Sequence, residues 1–377
     1  MIKNKKNILI ISPRFHTNLV PIIHSLKRRY FINLIVSNFG NTESYKVLKP
    51  ILCKELSLSI LIRKIFNLSK HDFLIPNLIF LFSIIKSIKP DLIIIRTHNR
   101  FFYYSISLIG KILGSKIIFY DQLDLALKEF KAKNIVNFLK NLELKLREFF
   151  FQSIRITPIN FSRVKKIKNS FYLPFCSFLK KTNFKKKKII SLITVSKYHH
   201  RKNLLLLCKA ALILKNKGYK FKIFLVGERK SPDQVIEFNR INKFLKNNKL
   251  LNKYVFLKKN IRYDDMSKIY RKGDIFVLPA TREPGSISVL ESMSFGLPVI
   301  VSNNCGTRCY IKRNYNGRFF LDNNLESIVK EIEFFLKNSN HIKVYRDRSI
   351  KLFKKLYTTD IFLANFDVLF KRIFNND

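Results

Sequence analysis

Two glutamates, Glu283 and Glu291, stand with seven residues between them in the stretch TREPGSISVLESMSFGLPVIVSNN (281–304). A carboxylate accepts hydrogen bonds from hydroxyl groups, and acidic residues in dinucleotide-binding sheets hold ribose in this way. Gly285, just after the first glutamate, has no Cβ and lets backbone approach a ligand closely. The amides of Gly285, Ser286 and Ile287 would open a helix, and a helix N-terminus attracts anions. An anion site flanked by two hydroxyl-binding carboxylates describes a nucleotide diphosphate sugar, with Glu291 on the ribose and Glu283 on other hydroxyls. A structural alternative covers part of this. Ser288-x-x-Glu291 fits a capping box, and Gly296 with Pro298 would end the helix. That alternative leaves Glu283 unexplained.

Phosphates also call for cations. The stretch TVSKYHHRKN (194–203) carries Lys197 and Lys202, five apart, between a strand-like run and a helical one. Two solvated lysines in a lysine-rich chain are the competing account.

The elements around these residues must place them at strand ends. Short apolar runs alternate with helical patterns: strands over 7–12, 32–37, 89–97, 116–122 and 154–159, with a helix over 135–152 among the intervening ones. The basic stretch LKKTNFKKKK (179–188) lacks apolar periodicity and suits a linker. Alternation resumes with strands over 189–196, 220–227, 254–259, 274–280 and 298–302. Helices follow, one over 326–338 and others through most of 343–375. The pattern predicts an α/β chain of two doubly wound parallel sheets. The expected domains are 1–180, 188–342, and C-terminal helices over 343–377 packing back on the first.

Seventy-two basic residues against 25 acidic ones give a formal charge of +47 over 377 residues. Codon bias toward Lys, Asn, Ile and Phe, a nucleic-acid surface, and attachment to an anionic membrane each account for that excess. Five cysteines form no paired framework, and Cys305-x-x-x-Cys309 lacks the second ligand pair of a zinc site. Reduced thiols and a cytoplasmic setting follow. The N-terminal apolar run is too short for a signal peptide. The stretch FLIPNLIFLFSII (73–85) falls short of a membrane span and is expected as a buried helix, with shallow membrane insertion the alternative.

Glu283-x7-Glu291 followed by SMSFGLPVIVS resembles the signature of the retaining GT-B glycosyltransferases of family 4 (glycosyl transferases group 1). The Gly-Thr and Asn-Gly pairs of NNCGTRCYIKRNYNGRFF are similar to that family's next motif, and SKYHHRKN is similar to its phosphate loop. Lys197 stands at that loop's arginine position, and a lysine lacks arginine's bidentate fork. GDIFVLPA and FLVGE resemble two further strands of that family, and the resemblance implies that Gly227 lies near the nucleoside. The resemblance implies two Rossmann-like domains facing a cleft, with the C-terminal helix crossing back to the first. It implies that Glu291 binds the donor ribose and Glu283 the transferred sugar, while Lys197 and Lys202 neutralise the leaving diphosphate. It also implies anomeric retention without a metal or other cofactor, and no Asp-x-Asp motif is evident.

A UDP-, GDP- or ADP-sugar would be the donor, and a glycan or lipid-linked glycan of surface polysaccharide or lipopolysaccharide assembly the acceptor. The N-terminal half would bind that acceptor, with Arg96, His98, Asn99 and Arg100 gathered after one strand and Asp121 and Gln122 after the next. A solvated loop explains His98 equally well. The aromatic stripe of the last segment reads as packing. The competing function is a basic nucleic-acid-binding protein on a degenerate GT-B scaffold, although no aromatic-basic recognition motif supports it. A nicotinamide dehydrogenase is disfavoured, since no G-x-G-x-x-G follows a strand. An anionic membrane surface, at the inner face of the plasma membrane, is the further partner that the charge allows.

Overall fold

The computed structural model describes residues 5–40, 42–67, 73–96, 99–120, 149–151, 154–159, 170–180, 187–281 and 283–375. Two compact units divide the chain. One comprises Met1–Pro174 with Phe362–Asp377, and the other Phe175–Ile361.

The first unit runs β1 (Asn7–Ser12), α1 (Leu19–Leu26), β2 (Phe31–Val36), β3 (Ile51–Leu52), α2 (Ser57–Ile65) and α3 (Leu78–Ile88), then β4 (Leu92–Ile95), α4 (Arg100–Ile112), β5 (Lys116–Tyr120), β6 (Arg155–Thr157) and β7 (Ser170–Tyr172). The strands lie in the order β3-β2-β1-β4-β5-β6-β7, and the registered pairs are parallel. β-Branched runs such as NILIIS and LIII suit strands covered on both faces. Alternate residues divide between two layers. Leu9, Ile11, Ile93 and Ile95 pack with α3 and α4 through Leu81, Ile85, Phe102 and Ile106. Ile10 and Ile94 line the opposite side with Leu19, Ile22 and Leu26 of α1.

The sequence expectations need three corrections here. The apolar stretch 73–85 becomes a helix only from Leu78, where the Asn77 side chain accepts the Phe80 amide at 2.9 Å. That helix is not buried: Leu81 and Ile85 are its fully enclosed residues, while Ile79 is 84% exposed. The segment 343–361 does not join the first unit. Arg346 and Ser349 donate to the carbonyls of Phe295 and Leu297 within the second unit, and the first unit gains the chain only from Phe362. The helix expected over 135–152 and the linker over 179–188 lie largely outside the described residues, and His98, Asp121 and Gln122 lie wholly outside them.

The second unit runs β8 (Ile190–Val195), α5 (Leu204–Asn216), β9 (Phe221–Gly227), α6 (Pro232–Asn247), β10 (Val255–Lys259), α7 (Met266–Tyr270) and β11 (Ile275–Leu278), then α8 (Ile287–Ser294), β12 (Val299–Ser302), β13 (Gly317–Phe320), α9 (Leu325–Lys337) and α10 (Asn340–Leu356). Its strand order is β10-β9-β8-β11-β12-β13, again with parallel registers. Leu192, Ile223, Ile275 and Ile300 form the sheet's share of a core that α5 and α9 close with Leu207, Ala211, Ile328 and Ile332. The last helix, α11 (Thr359–Phe374), buries Phe362, Phe366 and Leu369. Its Phe366 meets Tyr30 edge-on at 5.5 Å, and Asp367 accepts the Tyr30 hydroxyl at 2.8 Å, both inside the first unit.

Candidate functional site

The order of the second sheet reverses direction between β8 and β11. The crevice outside the carboxyl ends of the strands at such a reversal is where open α/β sheets bind ligands. The two chemistry-bearing stretches of the sequence are the loops that leave these two strands.

The loop after β8 is pinned from inside. Tyr198 is fully buried, and its hydroxyl donates to the carbonyls of Leu225 at 2.7 Å and Lys258 at 2.9 Å. Phe238 meets its ring edge-on at 4.9 Å. Gly227 makes room for this turn, because a Cβ there would collide with the Ser196 carbonyl and touch the Tyr198 ring. The loop then makes a 3-10 turn over His200–Lys202, with the His199 ring accepting the Arg201 amide at 3.2 Å. Burial, followed by the neighbouring His200 and Arg201 charges, holds the His199 imidazole below its ordinary range. Asn203, at φ 49°, leads into α5.

The loop after β11 is tied to the first one and to a third. Thr281 donates its amide to the Arg201 carbonyl at 2.9 Å. Glu283 forms an isolated parallel bridge with Cys305, and the Gly306 amide donates to the Glu283 carbonyl at 2.7 Å. A side chain at 306 would run into the Pro284 carbonyl. The Gly-Thr pair of the sequence therefore fixes the backbone beside Glu283.

These ties bring Lys202 and Glu283 together as an ion pair from Nζ to Oε2, with side chains 13% and 7% exposed. A pair this enclosed is stable only while both members are present. Lys197 is placed differently: its Nζ lies 3.3 Å from Glu228 at the end of β9, and its side chain is 44% exposed. The two lysines thus serve separate carboxylates.

Ser286 is the N-cap residue of α8, and no side chain caps that end. Its hydroxyl instead shares a 2.7 Å hydrogen bond with Ser288. The capping-box alternative for Glu291 is thereby corrected. Ser288 lies inside the helix rather than at its cap, and the Glu291 carboxylate turns away to accept the Tyr270 hydroxyl at 2.7 Å. Burial holds the Glu291 carboxyl above its ordinary range, opposed by the Tyr270 hydrogen bond and the Lys180 charge. Tyr263 adds a second phenol whose hydroxyl is pushed up by burial and then by the Glu291 charge. Sequence reasoning missed this tyrosine pair. The other end of α8 is as expected: Gly296 at φ 74° donates to Met293, and Leu297 donates to Ser292, which closes the helix.

On the first sheet, Arg96, Asn99 and Arg100 of the group expected after β4 are among the described residues. Arg96 turns inward, with its guanidinium 4.7 Å from the Tyr120 ring centre and Nη2 3.4 Å from Asn18. Its Nε and Nη1 are buried without a hydrogen-bond partner. Burial brings its pKa down to about 10. Asn99 caps α4 by accepting the Phe102 amide at 3.1 Å, and Arg100 is exposed at that helix's first position. A group missed in the sequence lies after β2. Glu43 is buried there, accepting the Tyr45 hydroxyl at 3.0 Å and the Gly40 amide at 3.1 Å, with Arg14 at 3.3 Å.

Comparison with known proteins adds to this geometry. Residues 177–352 match the family Glycosyl transferases group 1, so the match falls within the second unit. An uncharacterized glycosyltransferase of Methanocaldococcus jannaschii is 24% identical over 278 residues, covering 74% of this chain and 64% of its own length. A UDP-Gal:alpha-D-GlcNAc-diphosphoundecaprenol alpha-1,3-galactosyltransferase of Escherichia coli is 35% identical over 69 residues, 18% of each chain. The chain spans less than two thirds of the length of the curated relatives it matches. The crystal structure of a glycosyltransferase from Rickettsia africae covers 100% of both chains with a TM-score of 0.75 at 16% identity. That likeness establishes the fold as the GT-B type, with two Rossmann-like parallel-sheet units.

Proposed function

We propose that the protein is a retaining glycosyltransferase of family 4, moving a sugar from a nucleotide diphosphate sugar to a saccharide or lipid-linked saccharide. The observation that carries this reading is the enclosed Lys202–Glu283 pair at the reversal point of the second sheet, one loop from the uncapped start of α8. A donor diphosphate at that helix end meets the amides of Gly285, Ser286 and Ile287. Lys202, and Lys197 from the neighbouring turn, stabilise the charge that grows on the diphosphate as the anomeric bond breaks. Such preorganised electrostatics is the term that most favours a charged leaving group. The lysines fill the place of a metal, and chelation should leave the rate unchanged.

Glu283 accepts hydroxyls of the transferred sugar, and Glu291 accepts those of the ribose. Held by Tyr270, the Glu291 carboxylate keeps lone pairs for a second donor. Arg96 and Glu43, after β4 and β2, are the charged groups we assign to the acceptor side. The Escherichia coli relative acts on a diphosphoundecaprenol-linked sugar with a UDP donor, by its name. We therefore place this protein in surface polysaccharide or lipopolysaccharide assembly, in the cytoplasm at the inner face of the plasma membrane, with UDP-sugars the first donors to test.

The experiment is a thermal-shift screen with UDP, GDP and ADP, since a ligand that binds the folded state raises its melting temperature by mass action. Turnover with the matching nucleotide sugars follows. Glu283→Gln and Lys202→Ala chains that remain folded should lose nucleotide release by about a hundredfold or more. Undiminished turnover in both would end the proposal. Steep salt-dependent nucleic-acid binding with no nucleotide-induced shift would favour the nucleic-acid reading instead.

A further inference from the structure

A surface helix of a globular protein turns its apolar stripe inward. Helix α2 does the opposite. Ser59 is its one buried residue, while Leu58, Leu61 and Ile65 are 55%, 54% and 66% exposed. Phe66 just beyond it and Ile79 on α3 are more exposed still. These residues belong to one surface because the starts of the two helices are laced together. The Leu56 amide donates to the Ile75 carbonyl at 3.0 Å, the Asn77 amide to the Lys54 carbonyl at 2.9 Å, and the Ile75 amide to the Ser59 hydroxyl at 3.0 Å.

The rim of this surface is basic. Residues 51–112 hold nine Lys and Arg against three acidic residues, of which Glu55 is paired with Arg63 and Asp91 with Lys6. Lys54 reaches to 5.2 Å from the Phe80 ring and Lys86 to 6.0 Å from the Phe82 ring. Both lysines are exposed and hold their ammonium groups over aromatic rings of α3, and a long basic side chain that covers apolar surface while its charge stays in water suits a membrane interface. No helix among the described residues is long and apolar enough to cross a bilayer. The arrangement suits a helix lying in the interface plane, which inserts about 5–10 Å.

We propose that the outward apolar face of α2 and α3 docks on an anionic lipid bilayer, with Leu61, Ile65, Phe66 and Ile79 below the headgroups and Lys54, Lys64 and Lys86 among them. A second copy of this chain is the poorer occupant. Pairing the face with itself brings one basic rim against another, in chains already at +47. An anionic bilayer satisfies both halves of the surface, since each basic side chain near such a leaflet adds attraction and each inserted apolar group adds burial. The docking rests on the proposed function only in that a lipid-linked acceptor would lie in the same bilayer. It is measured without turnover.

The chain has no tryptophan, so one introduced residue reports alone. Full-length Ile79→Trp and, as a control on the second unit, Ile236→Trp are mixed with vesicles of phosphatidylcholine containing about one third phosphatidylglycerol. Ile236 is likewise exposed, at 65%. The expected result is a blue-shifted emission, quenched by brominated acyl chains, for the tryptophan at 79 and not at 236. Leu61→Asp with Ile79→Asp should weaken vesicle sedimentation about tenfold or more at low salt, although the basic residues are untouched. Equal emission from both tryptophans, or sedimentation that the double variant does not change, would mean that charge alone drives binding and would overturn the proposal. A dimer that the same double variant dissociates would assign the face to a second copy instead. A nucleotide-induced thermal shift in the double variant, measured in parallel, keeps failure of docking separate from failure of the donor site.

Discussion

Lys202 and Glu283 form a pair whose part in stability and whose proposed part in catalysis can be separated by one double-mutant cycle. Lys202→Met removes the ammonium and leaves the Glu283 carboxylate, 7% exposed, without its counter-charge. Breaking a buried pair on one side costs about 3–5 kcal/mol. The lysine side chain is still 13% exposed, so water reaches the vacated position and the lower end, about 3 kcal/mol, applies. The unit that carries the pair, Phe175–Ile361, is of the size for which each kcal/mol moves the melting temperature by about 2–4 °C. Lys202→Met should therefore melt roughly 6–12 °C below the parent chain.

Glu283→Gln retains an acceptor for the ammonium and should cost only about 1–2 kcal/mol. The double variant, with neither charge, should recover about half of the Lys202→Met loss, giving a coupling energy of about 3 kcal/mol. Differential scanning calorimetry on the four chains measures the cycle, and nucleotide release measures function in the same samples. Stability should return in the double variant while turnover does not. Additive melting losses would show that the two side chains do not meet in the folded protein. Turnover that recovers together with stability would show that the pair only holds the loops in place. Either outcome refutes the reasoning.

Two further predictions follow from groups whose environments are unusual. Tyr270→Phe deletes the hydroxyl that lowers the Glu291 pKa, leaving burial to raise it further. Glu291 already sits above its unfolded value, so its contribution favours the fold at low pH and is lost as pH rises through the folded pKa. In the variant that window extends upward, and the acidic loss of nucleotide affinity should move to higher pH. Binding isotherms from pH values near the ordinary carboxylate range up to neutrality would show it, and an unmoved limb would contradict it. Arg96→Met removes a buried guanidinium that has no carboxylate partner among the described residues. Melting should rise, since an apolar side chain there avoids the desolvation of an unpaired buried charge. A lowered melting temperature would show that the charge is needed for the fold.

Much of the second sheet was legible because buried parallel strands announce themselves as β-branched runs, such as ISLITV and VIVS. The strands β3, β7 and β13 were not, since IL and SFY are too short to form a run and GRFF opens on a glycine and a charge. The spacing of Lys197 and Lys202 marked a loop but not its partners. Which carboxylate each lysine meets depends on the order of the strands: Glu228 follows β9 on one side of β8, and Glu283 follows β11 on the other. The Tyr270–Glu291 hydrogen bond joins two helices separated by a strand and a loop, and no local pattern carries it. The capping box failed by two residues. Ser286 and Ser288 are equivalent on paper, and only the backbone, extended at Ser286, decides which one begins the helix. Likewise the run at 73–85 is apolar enough for a core, and its exposure follows from which residues the Asn77 cap aims inward.

If Glu283 and Glu291 hold a nucleotide sugar as proposed, the charge of the chain gives these two carboxylates a selective role. Seventy-two cations draw anions from solution without discriminating among them, and at physiological salt that pull extends about 8 Å from the surface. A bare phosphate arriving at the start of α8 would gain from Lys202 but would face Glu283, which already holds that lysine and repels a second anion. A nucleotide sugar arrives with ribose and hexose hydroxyls as well. Each can donate to a carboxylate, so the repulsion that a bare anion meets is replaced by hydrogen bonds to Glu283 and Glu291. Rejecting the wrong ligand and holding the right one then fall to the same two side chains. A site made of lysines alone, in a chain this basic, would bind every phosphate in reach. On that proposal, acidic residues are needed beside the phosphates because the rest of the molecule is so positive.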